Sequence, residues 1–368
     1  MTTSLTVATA IAFITFFTCV LILATFPLHG RFSADSSFGV QKLHVHPTPR
    51  VGGVAVAAGL VASFFLAEND VKVILEPTLL AAIPAFAIGL LEDVTKKVSV
   101  RVRLIATMFS GFLAWWLTGV SIQNTGVPTL DYALAFVPLA VVFTAFAVGG
   151  VANAVNIIDG FNGLAAGVVI IMLTAMGLIA YTVGDTAVAY LCLLVAACAF
   201  GFGMLNWPYG KIFLGDGGAY MLGFIVAWIA VLLPMRNPSI TALTTLLACA
   251  YPVIEVGFSV SRRVGRRGRH PGAADKLHLH HLLHYRVSRP VFKGASCRVK
   301  NGITSSFVWV CAALPATLSV LLSQNITALC VGLLACVLLY SALYRRLAQF
   351  GRVFVKDAPT QKTKSNLT

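Results

Sequence analysis

Residues 133–183 read "ALAFVPLAVVFTAFAVGGVANAVNIIDGFNGLAAGVVIIMLTAMGLIAYTV", two apolar runs (133–151 and 163–183) around the polar island "NAVNIIDGFNGL" (153–164). A helix needs roughly 17–25 apolar residues to cross about 30 Å of hydrocarbon, and each run has that length. Two asparagines, an aspartate and a third amide are expensive to keep between such runs. The island therefore needs a purpose.

Working outward, eleven apolar blocks stand out, near 5–28, 51–67, 73–91, 104–120, 133–151, 163–183, 187–205, 217–235, 239–260, 303–323 and 325–344. The chain is 58% hydrophobic and 11% charged, far below the roughly 25% charged residues of a soluble domain. The expected fold is all-α, a polytopic membrane protein of about 11 transmembrane helices with its active site at the cytoplasmic face. Alternating β-barrel segments are absent from the pattern. The block after "MTTSL" has no basic flank and exceeds a signal-peptide core, so it reads as a retained helix. Residues 1–350 are expected to form one domain, with 351–368 a disordered cytoplasmic tail. The eight cysteines lie almost all within apolar blocks without C-x-x-C spacing, as small buried hydrophobes do.

The net charge of +14 is placed asymmetrically. With the N-terminus outside, 25 of the 27 Lys and Arg residues fall in inner loops or the C-terminal tail, leaving Lys72 and Arg236 outside. By the positive-inside rule the expected orientation is N-terminus outside and C-terminus inside. The basic excess then serves topology and attraction to anionic lipid or phosphate, not nucleic acid.

The polar clusters share that inner face: "QKLHVHPTPRVGG" (41–53), "EDVTKKVSVRVR" (92–103), the island, "NWPYGKIFLGDGG" (206–218) and "RRVGRRGRHPGAADKLHLHHLLHYR" (262–286). Glu92, Asp93, Asp159 and Asp216 all lie at or next to inner helix ends. Hard carboxylate oxygens suit Mg²⁺, or alternatively Mn²⁺, and such ions usually accompany a phosphate. Glycines flank Asp216 just before an apolar helix, an arrangement that lets backbone approach a ligand and frees N–H groups for an anion. Asn153, Asn156 and Asp159 recur at i, i+3 and i+6 and share one helix face, either as a binding wall or as hydrogen-bonding glue between helices. His278, His280, His281 and His284, preceded by five arginines, suit a phosphate clamp better than a zinc cage. Pro47 and Pro49 set Arg50 at the mouth of the second helix. Lys96 and Lys97 suit a diphosphate or serve topology, and Glu255 is open between structural partner and loop rim.

Taken together, these motifs resemble the polyprenyl-phosphate N-acetylhexosamine-1-phosphate transferases, the WecA, TagO and MraY family of glycosyltransferase family 4. "KLHVHPTPRVGG" is similar to its H-x-x-P-T-P-R-x-G-G, "LLEDVTKK" to D-D-x-x-K, and "NAVNIIDGFNGLAAG" to N-x-x-N-x-x-D-G-x-D-G-L. "NWPYGKIFLGDGG" is similar to N-x-P-x-x-K-x-F-x-G-D-x-G, and "HLHHLL" to the late-loop histidine motif. The resemblance runs from about residue 42 to 286.

It implies transfer of N-acetylhexosamine-1-phosphate from a UDP-sugar to undecaprenyl phosphate, giving sugar-diphospho-undecaprenol and UMP. It also implies Mg²⁺ dependence and a bacterial inner membrane, at the start of a cell-surface glycan such as O-antigen, capsule or teichoic acid. Homodimerisation is left open. Residue by residue, it implies Asp216 as the metal ligand, with Asp93 and Glu92 at the acceptor phosphate, where Asp93 is the candidate base. Phe213 stacks on the uracil and Asn206 lies on the nucleoside side. Lys96 lies near the diphosphate. Asn153, Asn156 and Asp159 form the central polar face, Asp159 among the catalytic acids, and His278, His280 and His281 shape the diphosphate or sugar pocket beside Arg50. The departures are Glu92 for the first acid, Asn162 for the second acid of D-G-x-D-G, and Gly217 after Asp216. The rival readings are a MraY-like phospho-MurNAc-pentapeptide transferase, a transporter of anionic solutes and a non-catalytic scaffold. A transporter predicts polar clusters at span centres and on both faces, whereas the outer connections here are short and bland.

Overall fold

Every apolar block folds as helix in the computed structural model, which describes residues 2–35, 47–264 and 277–349. In chain order the elements are α1 (Thr2–Ala24), α2 (Phe26–Ser33), β1 (Ala34–Asp35), β2 (Thr48–Pro49), α3 (Gly52–Leu66), α4 (Asn69–Thr95), α5 (Val100–Thr118), α6 (Pro128–Leu134), α7 (Val137–Ile158) and α8 (Leu164–Thr182). They continue with α9 (Thr186–Asn206), α10 (Gly215–Arg236), α11 (Ala242–Ala248), α12 (Ala250–Val264), α13 (Leu279–Leu283), α14 (Arg289–Val291), α15 (Cys297–Leu321) and α16 (Ile326–Gln349). The expected all-α polytopic membrane fold is what the chain adopts, the exception being the two-residue antiparallel ladder of β1 with β2.

The helix ends follow their local chemistry. Ser99, Asp185 and Ser296 cap α5, α9 and α15 by accepting from Val102 N, Val188 N and Val299 N. Gly119 ends α5 in the left-handed region that costs glycine nothing. Prolines inside spans free backbone groups that neighbours must satisfy. Next to Pro84 in α4, Ala85 N donates to Ser110 Oγ of α5 at 3.1 Å. Four residues before Pro234, the carbonyl of Ala230 accepts from Thr245 Oγ1 of α11 at 2.7 Å.

Nine helices among the described residues are long and apolar enough to span a membrane. Two of the eleven blocks read from the sequence differ in shape. Block 51–67 becomes α3, only 15 residues, and block 239–260 breaks between α11 and α12 with an 80° bend. α10 is the axis of the bundle: 89% of its most apolar window is buried, against 22% for α1 and α16 at the edge. It packs against α3, α4, α7 and α8.

Glycine decides how closely α10 approaches its neighbours. A Cβ on Gly53 of α3 would come within 2.3 Å of Gly218 N, and one on Gly89 of α4 within 2.5 Å of the Asp216 carbonyl carbon. Small residues allow this backbone-to-backbone contact, which carries helix association where lipid removes the hydrophobic drive. The consequence is functional. Three helix ends are brought together at the start of α10.

Candidate active site

The start of α10 is built by a reciprocal clamp. Asp93, buried at the end of α4, accepts from the backbone N–H of Asp216 at 2.8 Å and of Gly217 at 2.9 Å. Such capping satisfies N–H groups that a helix start leaves orphaned. Gly215 has φ +77, and a Cβ there would strike the Arg50 carbonyl and Asp93 Oδ2, so only glycine fits this turn. The segment before α3 is stitched on from the other side: Phe213 N donates to Pro49 O, Gly52 N to Phe213 O and Gly53 N to Leu214 O, at 2.8–2.9 Å.

This clamp turns the Asp216 carboxylate into a cluster of charges. Its Oδ1 accepts from Arg50 Nη2 at 2.5 Å and Asn156 Nδ2 at 3.1 Å, and its Oδ2 accepts from Arg103 Nη1. Arg50 Nε also reaches Asp93 Oδ1 at 3.1 Å. Although burial works against its charge, Asp216, Asp93 and Asp35 raise the pKa of Arg50 above its ordinary value.

A cavity of about 230 Å³ opens beside this cluster. Asn156, Asp159, Asp216 and Arg50 contribute acidic and polar groups to its lining. Asn206, Tyr209 and Phe213 also line it, as do Asn162, Arg298 and Asn301. Asp159 is the C-terminal cap of α7. Burial, reinforced by Asp216 and Asp93 and opposed by Arg50, holds its carboxyl well above the usual range.

The predicted residues sort into those the cavity gathers and those it does not. Arg50, Asn156, Asp159, Asn206, Phe213 and Asp216 line it. Asn206 is also a brace, its Oδ1 accepting from Gly163 N and its Nδ2 donating to Ile212 O at 2.7 Å. Asp93 sits behind the wall. Glu92 points away, accepting from Val98 N at 2.7 Å, and Lys96 reaches the Ala34 carbonyl at 3.1 Å. Asn153 shares its helix face with Asn156, yet its amide donates to Thr107 Oγ1 at 2.8 Å and Gly149 O at 2.7 Å, tying α7 to α5. Asn162 donates to Pro208 O at 2.9 Å, a bond that an aspartate in its place cannot make.

The histidines form a buried cluster outside the cavity lining. His280, His281 and His284 surround the Phe161 ring edge-on at 5.2–5.3 Å. Burial, then His281 and His278, lower the pKa of His280 well below its usual value, and burial with Arg289 and Lys300 pushes His284 down to about 4. His278 Nδ1 lies 2.9 Å from Glu255 Oε1, and Glu255 also accepts from Tyr340 Oη at 2.8 Å and from Leu279 N. Glu255 is thus a structural partner of the histidine segment. His44, His46, the arginines at 266, 267 and 269 and the tail after 349 lie outside the described residues. Among the described residues no group of three His, Cys, Asp or Glu side chains is arranged to hold a metal unaided.

Arg103, Asp35, Tyr209, Arg298 and Asn301 were missed by sequence reasoning. For Arg103 and Arg298 a signal existed: each stands in the first turn of a helix, where the macrodipole disfavours a cation. Both also contribute to the basic excess of the inner loops, which masks that signal.

Residues 76–234 match the family model "Glycosyl transferase family 4". An "Undecaprenyl-phosphate alpha-N-acetylglucosaminyl 1-phosphate transferase" of Yersinia pestis is 27% identical over 285 residues, covering 76% of this chain and 77% of that protein. Its counterpart in Escherichia coli (strain K12) is 27% identical over 284 residues with the same coverage. A "Probable undecaprenyl-phosphate N-acetylglucosaminyl 1-phosphate transferase" of Bacillus subtilis (strain 168) is 28% identical over 249 residues, 66% of this chain and 67% of that protein.

Proposed function

From the premise that this chain belongs to glycosyl transferase family 4 through its residues 76–234, we propose that it transfers N-acetylglucosamine-1-phosphate from a UDP-sugar to undecaprenyl phosphate. The products are sugar-diphospho-undecaprenol and UMP. One observation carries this reading: Asp216, Asp159, Asn156 and Arg50 line one cavity at the helix ends of a membrane bundle. There a lipid phosphate held in the bilayer and a water-soluble nucleotide can meet.

Phosphoryl transfer asks mainly for positioning and charge neutralisation. The N-terminal end of α10 brings the positive end of its helix dipole beside the cavity. The acceptor nucleophile is a phosphate oxygen that must lose its second proton. Asp159 is placed to take it, because it lines the cavity and burial holds its pKa well above the usual carboxylate range. Asp93, with both oxygens committed to backbone N–H groups, holds Asp216 and the start of α10 in place.

The donor set suits a hard divalent cation, since the Asp216 carboxylate lines the cavity and Asn156 adds an amide oxygen. Mg²⁺ usually takes only one or two carboxylates, leaving its other positions to water and phosphate, so the lack of a three-acid cage among the described residues is compatible with it. Asp216 and Asn156 would hold Mg²⁺ or Mn²⁺, which would supply Lewis acidity and charge neutralisation at the phosphates. The basic residues gathered at this end of the bundle support a cytoplasmic site in a bacterial inner membrane, with the N-terminus outside.

The decisive experiment uses purified protein with UDP-N-acetylglucosamine, undecaprenyl phosphate and Mg²⁺. UMP release that needs all three is expected. Release from UDP-MurNAc-pentapeptide alone would favour the MraY-like alternative. No release from any UDP-sugar, together with anion flux in vesicles, would favour a transporter.

A further inference from the structure

The cavity has two guanidinium groups in its lining, and they are in different states. Arg50 is committed to Asp216 and Asp93. Arg103, just behind, is committed to Asp216. Arg298 lines the same cavity, and among the described residues its guanidinium has no hydrogen bond or ion pair.

Its backbone, by contrast, is firmly held. Ser296 caps the first turn of α15, and the Arg298 carbonyl accepts from Asn162 Nδ2 at 3.5 Å. One turn on, Asn301 Oδ1 accepts from Asn162 N at 2.7 Å, and Gly302 O accepts from Trp207 Nε1 at 3.1 Å. A Cβ on Gly302 would stand 2.6 Å from Pro208, so α15 is seated directly on the loop before α10. A free cation on a fixed base, in a helix turn whose dipole disfavours it, is costly unless an anion joins it. A purely topological arginine has no reason to line a cavity that Asp35, Asp159 and Asp216 also line.

Resting on the proposed function, we infer that Arg298 is a substrate-binding residue that pairs with the diphosphate of the nucleotide-sugar donor. The acids of the lining repel a diphosphate, and the other two arginines are already paired with Asp216 and Asp93. Among the described residues of the lining, Arg298 is the cation free to change partners, and a guanidinium presents paired donors that match phosphate oxygens. It lies outside the family match at 76–234, in the stretch after the histidine segment.

The test compares Arg298→Gln, Arg298→Lys and Lys300→Gln, the last removing equal charge from a side chain that bonds instead to the Lys293 carbonyl. UMP release gives KM for each substrate, and thermal shifts on adding UDP alone, each read against the same variant without UDP, give binding without turnover. Arg298→Gln should raise the donor KM about 10-fold or more, the scale of a lost charged hydrogen bond, and remove most of the UDP-induced shift. The acceptor KM should stay within about 2-fold. Arg298→Lys should recover part of the loss, and Lys300→Gln should resemble wild type. An unchanged donor KM and UDP shift in Arg298→Gln, equal effects from Lys300→Gln, or a wild type that UDP does not stabilise would each overturn the assignment. Absence of UMP release by the wild type would instead defeat the proposed function, with the UDP shift still deciding Arg298.

Discussion

α10 ends on an acid–arginine cluster at both sides, and the two clusters differ in kind. At the far end, Asp185 accepts from Arg236 Nε at 2.8 Å, Arg236 Nη2 at 3.1 Å and Asn237 Nδ2 at 3.0 Å. One carboxylate there meets one guanidinium in bidentate geometry, and the cluster is neutral and complete. At the near end Asp216, Asp93 and Asp159 share Arg50 and Arg103, and the cluster opens onto a cavity. A saturated pair fastens loops. An unsaturated one leaves acids and dipoles with capacity for a ligand.

Breaking the near cluster should have the largest effect. Asp216→Asn should lower kcat for UMP release at least about 10²-fold, the scale of losing an electrostatic group at a reacting centre. Near-wild-type turnover by that variant would remove Asp216 from the chemistry. Asp159→Asn should cost a similar factor and abolish the acidic limb of the pH–rate profile, since that limb reports protonation of the base. Asp93→Asn separates base from clamp: it should lower thermal stability by about 1–3 kcal/mol through the disturbed bonds to Asp216 and Gly217. Its residual activity should keep the wild-type pH profile, and a shifted profile would return Asp93 to the role of base.

Smaller effects sharpen the contrast. Asn153→Ala should cost about 1 kcal/mol of stability, typical of an interhelical bond, with kcat within about 3-fold. Asp185→Asn at the far end should cost about 1 kcal/mol or less and leave kcat and both KM values unchanged. Burial raises the Asp185 pKa, but the bonds from Arg236 and Asn237 prevail and lower it. Its contribution is therefore present above the ordinary carboxylate range and lost as pH falls through the lowered folded value. Thermal scans of wild type and Asp185→Asn should converge at low pH.

Much of the fold was legible because a bilayer imposes it: apolar length marks each helix, and the polar island marks where helices end. α3 and the α11–α12 break were not legible, because a 15-residue helix and an 80° bend depend on what packs around them. In the site, Asp216 with its glycines could be read from local chemistry. Asn153 and Asn156 could not be told apart, as one face of α7 meets Thr107 at one turn and Asp216 at the next. The histidines were legible as a cluster, yet they enclose Phe161 instead of lining the cavity.

By itself, the sequence determined what each segment is: a membrane helix, a glycine turn, an acid at a helix end. Those are consequences of hydrocarbon length, backbone freedom and charge, which act within a few residues. Only the tertiary structure decided which acids face the cavity and which arginine remains uncommitted. Pairing between groups as far apart in the chain as Arg50 and Asp216 is set by how closely glycine backbones let helices approach, and no local pattern records that distance.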